Sequence, residues 1–285
     1  TSLSVELAGT LTLKNNVNVN AEKNIFFKFG TLKFSIYGYC IYNRRIKDLK
    51  DILYTLLCIK FSKKMNYLTQ KLLNDEEIDS LKTNLNKTDK LWENGKKTAG
   101  SLAAEVKNNL QLSRQSEISK ANTQIISKII LANPLIKSFA LPKKIHGVMF
   151  TKSSQKMKYG RHIDNPYMST GRSDLSFTIS LTDKKEYQGG ELIIETLNDE
   201  HSFKLNSGEI IIYPSTYLHS VNEVKSGERL VCVGWIESYV KSAEEREYLF
   251  DLDAGAKGIL AKYGRSDELD LVYKSYSNFL RLLGR

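Results

Sequence analysis

Short β-branched and aromatic runs follow one another between residues 145 and 238, at 146–151, 175–181, 191–195, 202–205, 209–213, 218–223 and 230–236, separated by Gly, Asp, Asn and Pro. Runs this short at this spacing predict the strands of a β-sandwich or barrel. On either side the apolar spacing is helical. Asn74 stands as an N-cap with Glu77 three places on, and Ile78, Leu81 and Leu85 follow at helical intervals. A second helix is predicted over 116–131 through Ile118, Ala121, Ile125, Ile126 and Ile129, ended by Asn133-Pro134 because the residue before proline disfavours the helical region. These two helices are expected to flank a sheet. Beyond the strands, Ser242 with Glu245 opens another capping box, and Ser266-Asp267 precedes Leu269, Val272, Tyr273, Tyr276, Leu280 and Leu283, so the chain closes on a helical layer.

Composition narrows the class without naming a function. With 41% hydrophobic and 26% charged residues, 285 residues bury a sizeable core, which excludes disordered, collagenous and disulfide-scaffold classes. Cys40, Cys58 and Cys232 are too few and too scattered for a disulfide framework or a metal knuckle, and point to a reducing compartment, the cytoplasm. The formal charge of +10 is lopsided: residues 1–64 hold 11 basic and 4 acidic side chains, leaving 31 basic and 28 acidic from Met65 onward. A main domain at +3 lacks the basic footprint of a nucleic-acid binder.

The first 64 residues differ in texture. Their longest uncharged runs, 34–43 and 52–59, are interrupted by Arg44, Arg45, Lys47 and Lys50, short of the roughly 20 apolar residues of a membrane span, so no transmembrane segment is predicted. No secretory signal pattern opens the chain. A basic amphipathic helix over 44–61 (Leu49, Ile52, Leu53, Leu56, Leu57) is expected to pack on the main domain, with membrane-surface binding as the alternative. Residues 1–64 read as an upstream extension that contributes nothing to function, 65–240 as the main domain with its N-terminal helices, and 241–285 as a C-terminal helical segment.

Candidate chemistry centres on histidine. Of four histidines, one stands in His162-Ile163-Asp164 and another at His219 in a later strand. In an extended segment residues i and i+2 point the same way, so imidazole and carboxylate reach one side of a metal together. A distant histidine then completes a two-His, one-carboxylate facial triad that leaves the opposite face open. Alone, a His-x-Asp is a weak signal, but its neighbours strengthen it. Tyr159-Gly160-Arg161-His162-Ile163-Asp164-Asn165 precedes Asp174-Leu175-Ser176-Phe177-Thr178, then Gly189-Gly190-Glu191-Leu192, then Tyr213-Pro214-Ser215 shortly before His219, with Arg229 ten residues later.

This ordered set, with Trp92, residues 96–100 and Val106-Lys107-Asn108-Asn109, resembles the PKHD-type hydroxylases, the prolyl- and lysyl-hydroxylase-like group of Fe(II)/2-oxoglutarate dioxygenases. The likeness runs from about Met65 through the C-terminal helices and excludes residues 1–64. It implies an α+β fold, a double-stranded β-helix or jelly-roll core with flanking N-terminal helices and a C-terminal helical layer. It places the iron ligands on His162, Asp164 and His219, and the anchor of the 2-oxoglutarate carboxylate on Arg229. Tyr159 and Thr178 are candidates for hydroxyl donors to the same cosubstrate, with ordinary half-buried strand positions as the alternative. The implied reaction consumes 2-oxoglutarate and dioxygen, releases succinate and carbon dioxide, and hydroxylates an unactivated C–H bond of an unidentified substrate, with L-ascorbate in support. The competing readings are a nucleic-acid dealkylating dioxygenase of the same chemistry and a non-enzymatic jelly-roll with a structural metal.

One physical check on Arg229 is independent of the resemblance. If 225–228 were a tight hairpin turn, His219 would face Gly234, five residues from Arg229 and about 17 Å along the strand, beyond the reach of one small diacid. In facing sheets about 10 Å apart, metal and guanidinium grip opposite ends of one molecule. Asp174 and Asp183 read as turn and strand-edge residues, Gly189-Gly190 as turn geometry, His201 as solvent-exposed and His146 as a strand-entry residue.

Overall fold

The structure is a computed structural model, and it describes residues 25–29, 32–36, 67–87, 89–98, 100–196 and 199–284. The chain divides into two units, 1–49 and 50–285. In the first, β1 (Ile25–Phe29) and β2 (Leu32–Ile36) pair as an antiparallel hairpin. The helix expected over 44–61 lies outside the described residues.

The second unit opens with β3 (Leu68–Lys71) and α1 (Asp75–Asn86), then β4 (Trp92–Asn94), α2 (Ser101–Glu105), β5 (Lys107–Asn108) and β6 (Leu110–Leu112). Helices α3 (Glu117–Ala132) and α4 (Pro134–Ala140) lead into β7 (Pro142–Ser153) and β8 (Lys158–His162). A small hairpin, β9 (Tyr167–Met168) and β10 (Gly171–Arg172), precedes β11 (Leu175–Ser180), β12 (Gln188–Gly189), β13 (Leu192–Glu195) and β14 (Glu200–Phe203). The strands end with β15 (Glu209–Pro214), β16 (His219–Val221), β17 (Val224–Ser226) and β18 (Arg229–Ser238), followed by α5 (Ala243–Tyr263) and α6 (Asp267–Leu283).

Two antiparallel sheets make the core of this unit: a seven-stranded sheet in the order β3-β15-β11-β18-β7-β6-β4 and a five-stranded sheet in the order β14-β13-β16-β8-β5. This is the expected double-stranded β-helix. Strand β11 shows how side-chain alternation builds it. Leu175, Phe177 and Ile179 join Val148, Phe150, Ile210, Ile212, Cys232 and Ile236 in a core shared with Ile78 and Leu81 of α1 and Ile126 and Ile130 of α3. The intervening Ser176, Thr178 and Ser180 take the other face, and they too are buried, at 1–5% exposure. A strand covered on both sides carries apolar residues outward to the helices and small polar ones inward to the site. Between the sheets, Leu192 and Ile194 of β13 pack on Ile211 and Tyr213 of β15.

The helix signals hold in detail. The Asn74 side chain accepts from the Glu77 amide at 2.8 Å while the Glu77 carboxylate accepts from the Asn74 amide at 2.9 Å, the reciprocal box read from the sequence. At Ser242 only half forms: its hydroxyl accepts from the Glu245 amide but donates to Glu244. Asn133-Pro134 ends α3 as expected and also starts α4, because the Asn133 side chain caps the Ile136 amide and a proline at the first helical position has no N–H to leave unsatisfied. The run at 218–223 appears as β16, trimmed to His219–Val221, and β17 follows beyond it. His146 lies inside β7 rather than at its entry, bonded to Thr170 and to the Arg172 carbonyl, and His201 is half-buried against Tyr67 rather than open to solvent. Strands β3 to β6 carry two to four residues each and leave too short a pattern to read. No helix among the described residues is long and apolar enough to cross a membrane.

Phe177 pairs with Gly234 across β11 and β18, and a Cβ at 234 would stand 2.7 Å from the Phe177 ring. Phe177→Ala is expected to lower stability by about 3–5 kcal/mol through the cavity it leaves, and Gly234→Ala by about 1–3 kcal/mol through overpacking. In the Phe177→Ala background the Gly234→Ala penalty shrinks, because the cavity accepts the methyl group. Urea unfolding of the four proteins measures all three effects.

Candidate active site

Adjacent strands of the smaller sheet bring the two histidines together. In the pairing of β16 with β8, His219 stands opposite His162, and their ring centroids lie 4.2 Å apart. Asp164 follows two residues after His162, with Ile163 between them turned out at 53% exposure. Ligand atoms of His162, Asp164 and His219 all lie within 4.8 Å of one another, and His219 Nε2 is 3.8 Å from Asp164 Oδ2.

Each ring is oriented by backbone. His162 Nδ1 lies 2.8 Å from the Gly160 carbonyl and His219 Nδ1 3.0 Å from the Tyr217 carbonyl, an arrangement that assigns the proton to Nδ1 and leaves Nε2 with a free lone pair. Asp164 Oδ2 accepts from the Ser176 hydroxyl at 2.6 Å and from Trp235 Nε1 at 2.9 Å. Both donors come from the larger sheet, so the carboxylate ties the two sheets together at the site. Burial first, and His219 beside it second, push the His162 imidazole down to about 4, so it stays neutral at physiological pH. Two imidazoles and one carboxylate suit a divalent first-row metal, and the donor set leaves one face open.

On the side of β18 that carries Trp235, Arg229 occupies the opposite end. It is 6% exposed, enters no ion pair among the described residues, and interacts with the Tyr187 hydroxyl. Arg229 and Tyr187 line a small cleft with Thr178, Ser180, Leu192 and Phe203. Burial lowers the Arg229 pKa, but a guanidinium keeps its charge even so. Tyr213 spans the interval: its ring lies 5.3 Å from that of His219, and its hydroxyl feels the charges of both Asp164 and Arg229. The histidines belong to the smaller sheet and Arg229 to the larger, so the facing-sheet geometry holds and the hairpin does not.

Tyr159 stacks on His162 with centroids 3.6 Å apart, and burial raises its pKa, so it remains a neutral hydroxyl. Gly189 and Gly190 both have positive φ, +73° and +69°; a Cβ at 190 would press on Arg229 Cδ at 3.0 Å and one at 189 would meet the Glu223 carbonyl at 2.0 Å. The turn therefore allows β13 to close over the guanidinium. Sequence reasoning did not single out Ser176, Tyr187 or Trp235. Their signal was strand parity: 229, 231, 233 and 235 share one face of β18, as 176, 178 and 180 share one face of β11.

The family model of the 2OG-Fe(II) oxygenase superfamily matches residues 148–237, the stretch that carries every residue just described. Over 220 residues, 77% of this chain and 100% of each relative, the sequence is 76% identical to a PKHD-type hydroxylase of Prochlorococcus marinus strain MIT 9515 and 75% identical to one of strain MIT 9312. Among solved structures, a Pseudomonas putida prolyl-4-hydroxylase is similar at a TM-score of 0.48 and 17% identity, covering 65% of this chain and 98% of that one. At such identity over the whole length of its relatives, the chain belongs to the PKHD-type hydroxylases, Fe(II)- and 2-oxoglutarate-dependent dioxygenases.

Proposed function

We propose that His162, Asp164 and His219 hold the Fe(II), that Arg229 anchors the distal carboxylate of 2-oxoglutarate, and that the enzyme hydroxylates an unactivated C–H bond. The convergence of the three ligand atoms within 4.8 Å, with both Nδ1 atoms committed to carbonyls, carries this reading. Iron held by His162, Asp164 and His219 would activate dioxygen, the oxidant of both 2-oxoglutarate and the C–H bond. The remaining work falls to the chain. Backbone carbonyls fix both imidazoles, and Ser176 and Trp235 hold Asp164 Oδ2 so that the carboxylate cannot rotate away. A buried guanidinium without an anion is costly, and a cosubstrate carboxylate relieves that cost while the planar fork sets its direction. Tyr159 and Thr178 offer neutral hydroxyls along the same interior, and the apolar walls of Leu192, Phe203 and Val231 exclude water.

L-Ascorbate belongs to this proposal as the reductant that keeps iron ferrous. So does a cytoplasmic location, in keeping with the free buried thiol of Cys232. The organic substrate is a small molecule or protein rather than nucleic acid, on the near-neutral charge of the main domain. Residues 1–64 stand outside the catalytic domain in this reading, since the 220 residues shared with the relatives nearly equal the 221 that run from Met65 to Arg285.

His162→Ala, Asp164→Ala and His219→Ala are each expected to abolish stoichiometric Fe(II) binding and turnover while circular dichroism stays that of a folded protein. Full metal content and activity in any one of them overturns the ligand assignment. Arg229→Ala is expected to weaken 2-oxoglutarate on the order of 30- to several-thousand-fold, the equivalent of about 2–5 kcal/mol for an anion left buried and unpaired. Arg229→Lys recovers part of the loss, because it keeps the charge and not the fork. Titration of 2-oxoglutarate into the anaerobic Fe(II) protein, followed by its charge-transfer absorption, measures both. Deleting residues 1–64 is expected to leave iron binding and 2-oxoglutarate decarboxylation intact, and a folded but inactive truncation contradicts the boundary.

A further inference from the structure

We infer that Lys107 and Arg114 form an oxyanion-recognition pair for the organic substrate, which therefore carries a carboxylate or phosphate group near the carbon to be oxidised. This deepens the function proposed above and rests on it.

Lys107 is buried at 4% exposure on β5, opposite Tyr159 of β8. Its Nζ lies 4.9 Å from the centroid of the Tyr159 ring, the ring that stacks on His162, and donates to Thr98 Oγ1 at 3.3 Å. Arg114, just past β6, reaches the same wall from the larger sheet. Its Nη2 rests on the sulfur of Met149, which pairs with Val233, two residues before the Trp235 that holds Asp164. Arg114 is exposed and Lys107 is enclosed, so the pair runs from the surface toward the triad.

Neither cation enters an ion pair among the described residues; Lys107 Nζ is tied through Thr98 Oγ1 to Gln111 of β6, three residues before Arg114, and feels Arg114 as a like charge. Burial pushes the Lys107 amine down to about 8, with the repulsion of Arg114 adding to it and only Asp164 opposing. An enclosed Lys107 with the Arg114 cation at its surface end is an unfavourable arrangement, and an oxyanion between them offsets the desolvation of Lys107 and the repulsion it feels.

Sheet order separates this station from the cosubstrate anchor. Strands β8 and β16, which carry the histidines, stand between β5 on one side and β13 and β14 on the other. The Arg229 cavity is lined by Leu192 of β13 and Phe203 of β14, whereas Lys107 is on β5. Cations thus flank the triad on both sides, and with Arg229 engaged by 2-oxoglutarate the second pair remains for the molecule being oxidised.

The test uses the full chain loaded with redox-silent Mn(II) and saturating 2-oxoglutarate, and reads paramagnetic relaxation of small probes. Fluorine-19 relaxation is measured for trifluoroacetate and for its neutral analogue trifluoroacetamide, and phosphorus-31 relaxation for inorganic phosphate. An oxyanion probe is expected to show markedly stronger enhancement than the amide, and the stronger of trifluoroacetate and phosphate names the group. Lys107→Met and Arg114→Met are each expected to weaken that binding about ten-fold or more, the loss of a charge-assisted hydrogen bond, with Lys107→Arg retaining most of it. Equal enhancement for acid and amide in the unaltered protein overturns the inference. So does enhancement that survives both methionine variants, which places the anion on the metal or elsewhere. Arg114 is exposed, so its variant serves even if Lys107→Met does not fold. The methylene protons of 2-oxoglutarate are read in the same samples: if they are not relaxed in the unaltered protein, the metal and cosubstrate assignment has failed, and not this pair alone.

Discussion

The pairing of His219 with His162 across two neighbouring antiparallel strands is the constraint on which the rest of the site depends. It sets the two rings 4.2 Å apart, fixes which face of the smaller sheet meets the interior, and leaves Asp164, two residues on, to close the group. Everything else is support for that geometry. The carbonyls of Gly160 and Tyr217 hold the rings, and the carboxylate is held from the opposite sheet by Ser176 and Trp235. Because those donors lie on β11 and β18, the spacing between the sheets and the geometry of the three converging side chains are one variable. A change in core packing behind β11 therefore reaches Asp164 through Ser176.

Charge is distributed within this interior in a way that burial alone would oppose. Among the described residues, Arg229 is almost wholly enclosed without an ion-pair partner, and Lys107 is enclosed near Tyr159 without one. A protein selected only for stability would pair or expose such groups. Their retention here is intelligible if the missing anions arrive as ligands. Binding energy and orientation then come from groups whose desolvation was completed when the chain folded.

The walls of the barrel were readable from strand patterns wherever the runs were long enough. β11, β13, β15 and β18 appear within two residues of their predicted bounds, since alternation over four or more residues is a property of the local sequence. β3 to β6 were not readable, since strands of two to four residues owe their existence to the neighbour they pair with. α4 was hidden for a different reason: Asn133-Pro134 serves as a stop and a start at once, and the seven residues that follow are too few to show a helical period.

The sequence by itself determined the chemistry on offer: a histidine and a carboxylate two apart in an extended segment, a second histidine in a later strand, and an arginine ten residues beyond it, because side-chain identity and period-2 direction are local. Tertiary structure alone decided which of these groups meet and from which side. That β16 pairs with β8 and not with β18 separates His219 from Arg229 by the width of the interior, and no local pattern encodes the choice of partner strand. The same holds for Trp235, Tyr187 and Lys107. Each lies far along the chain from the group it serves, and its role exists only once two sheets have closed around a shared interior.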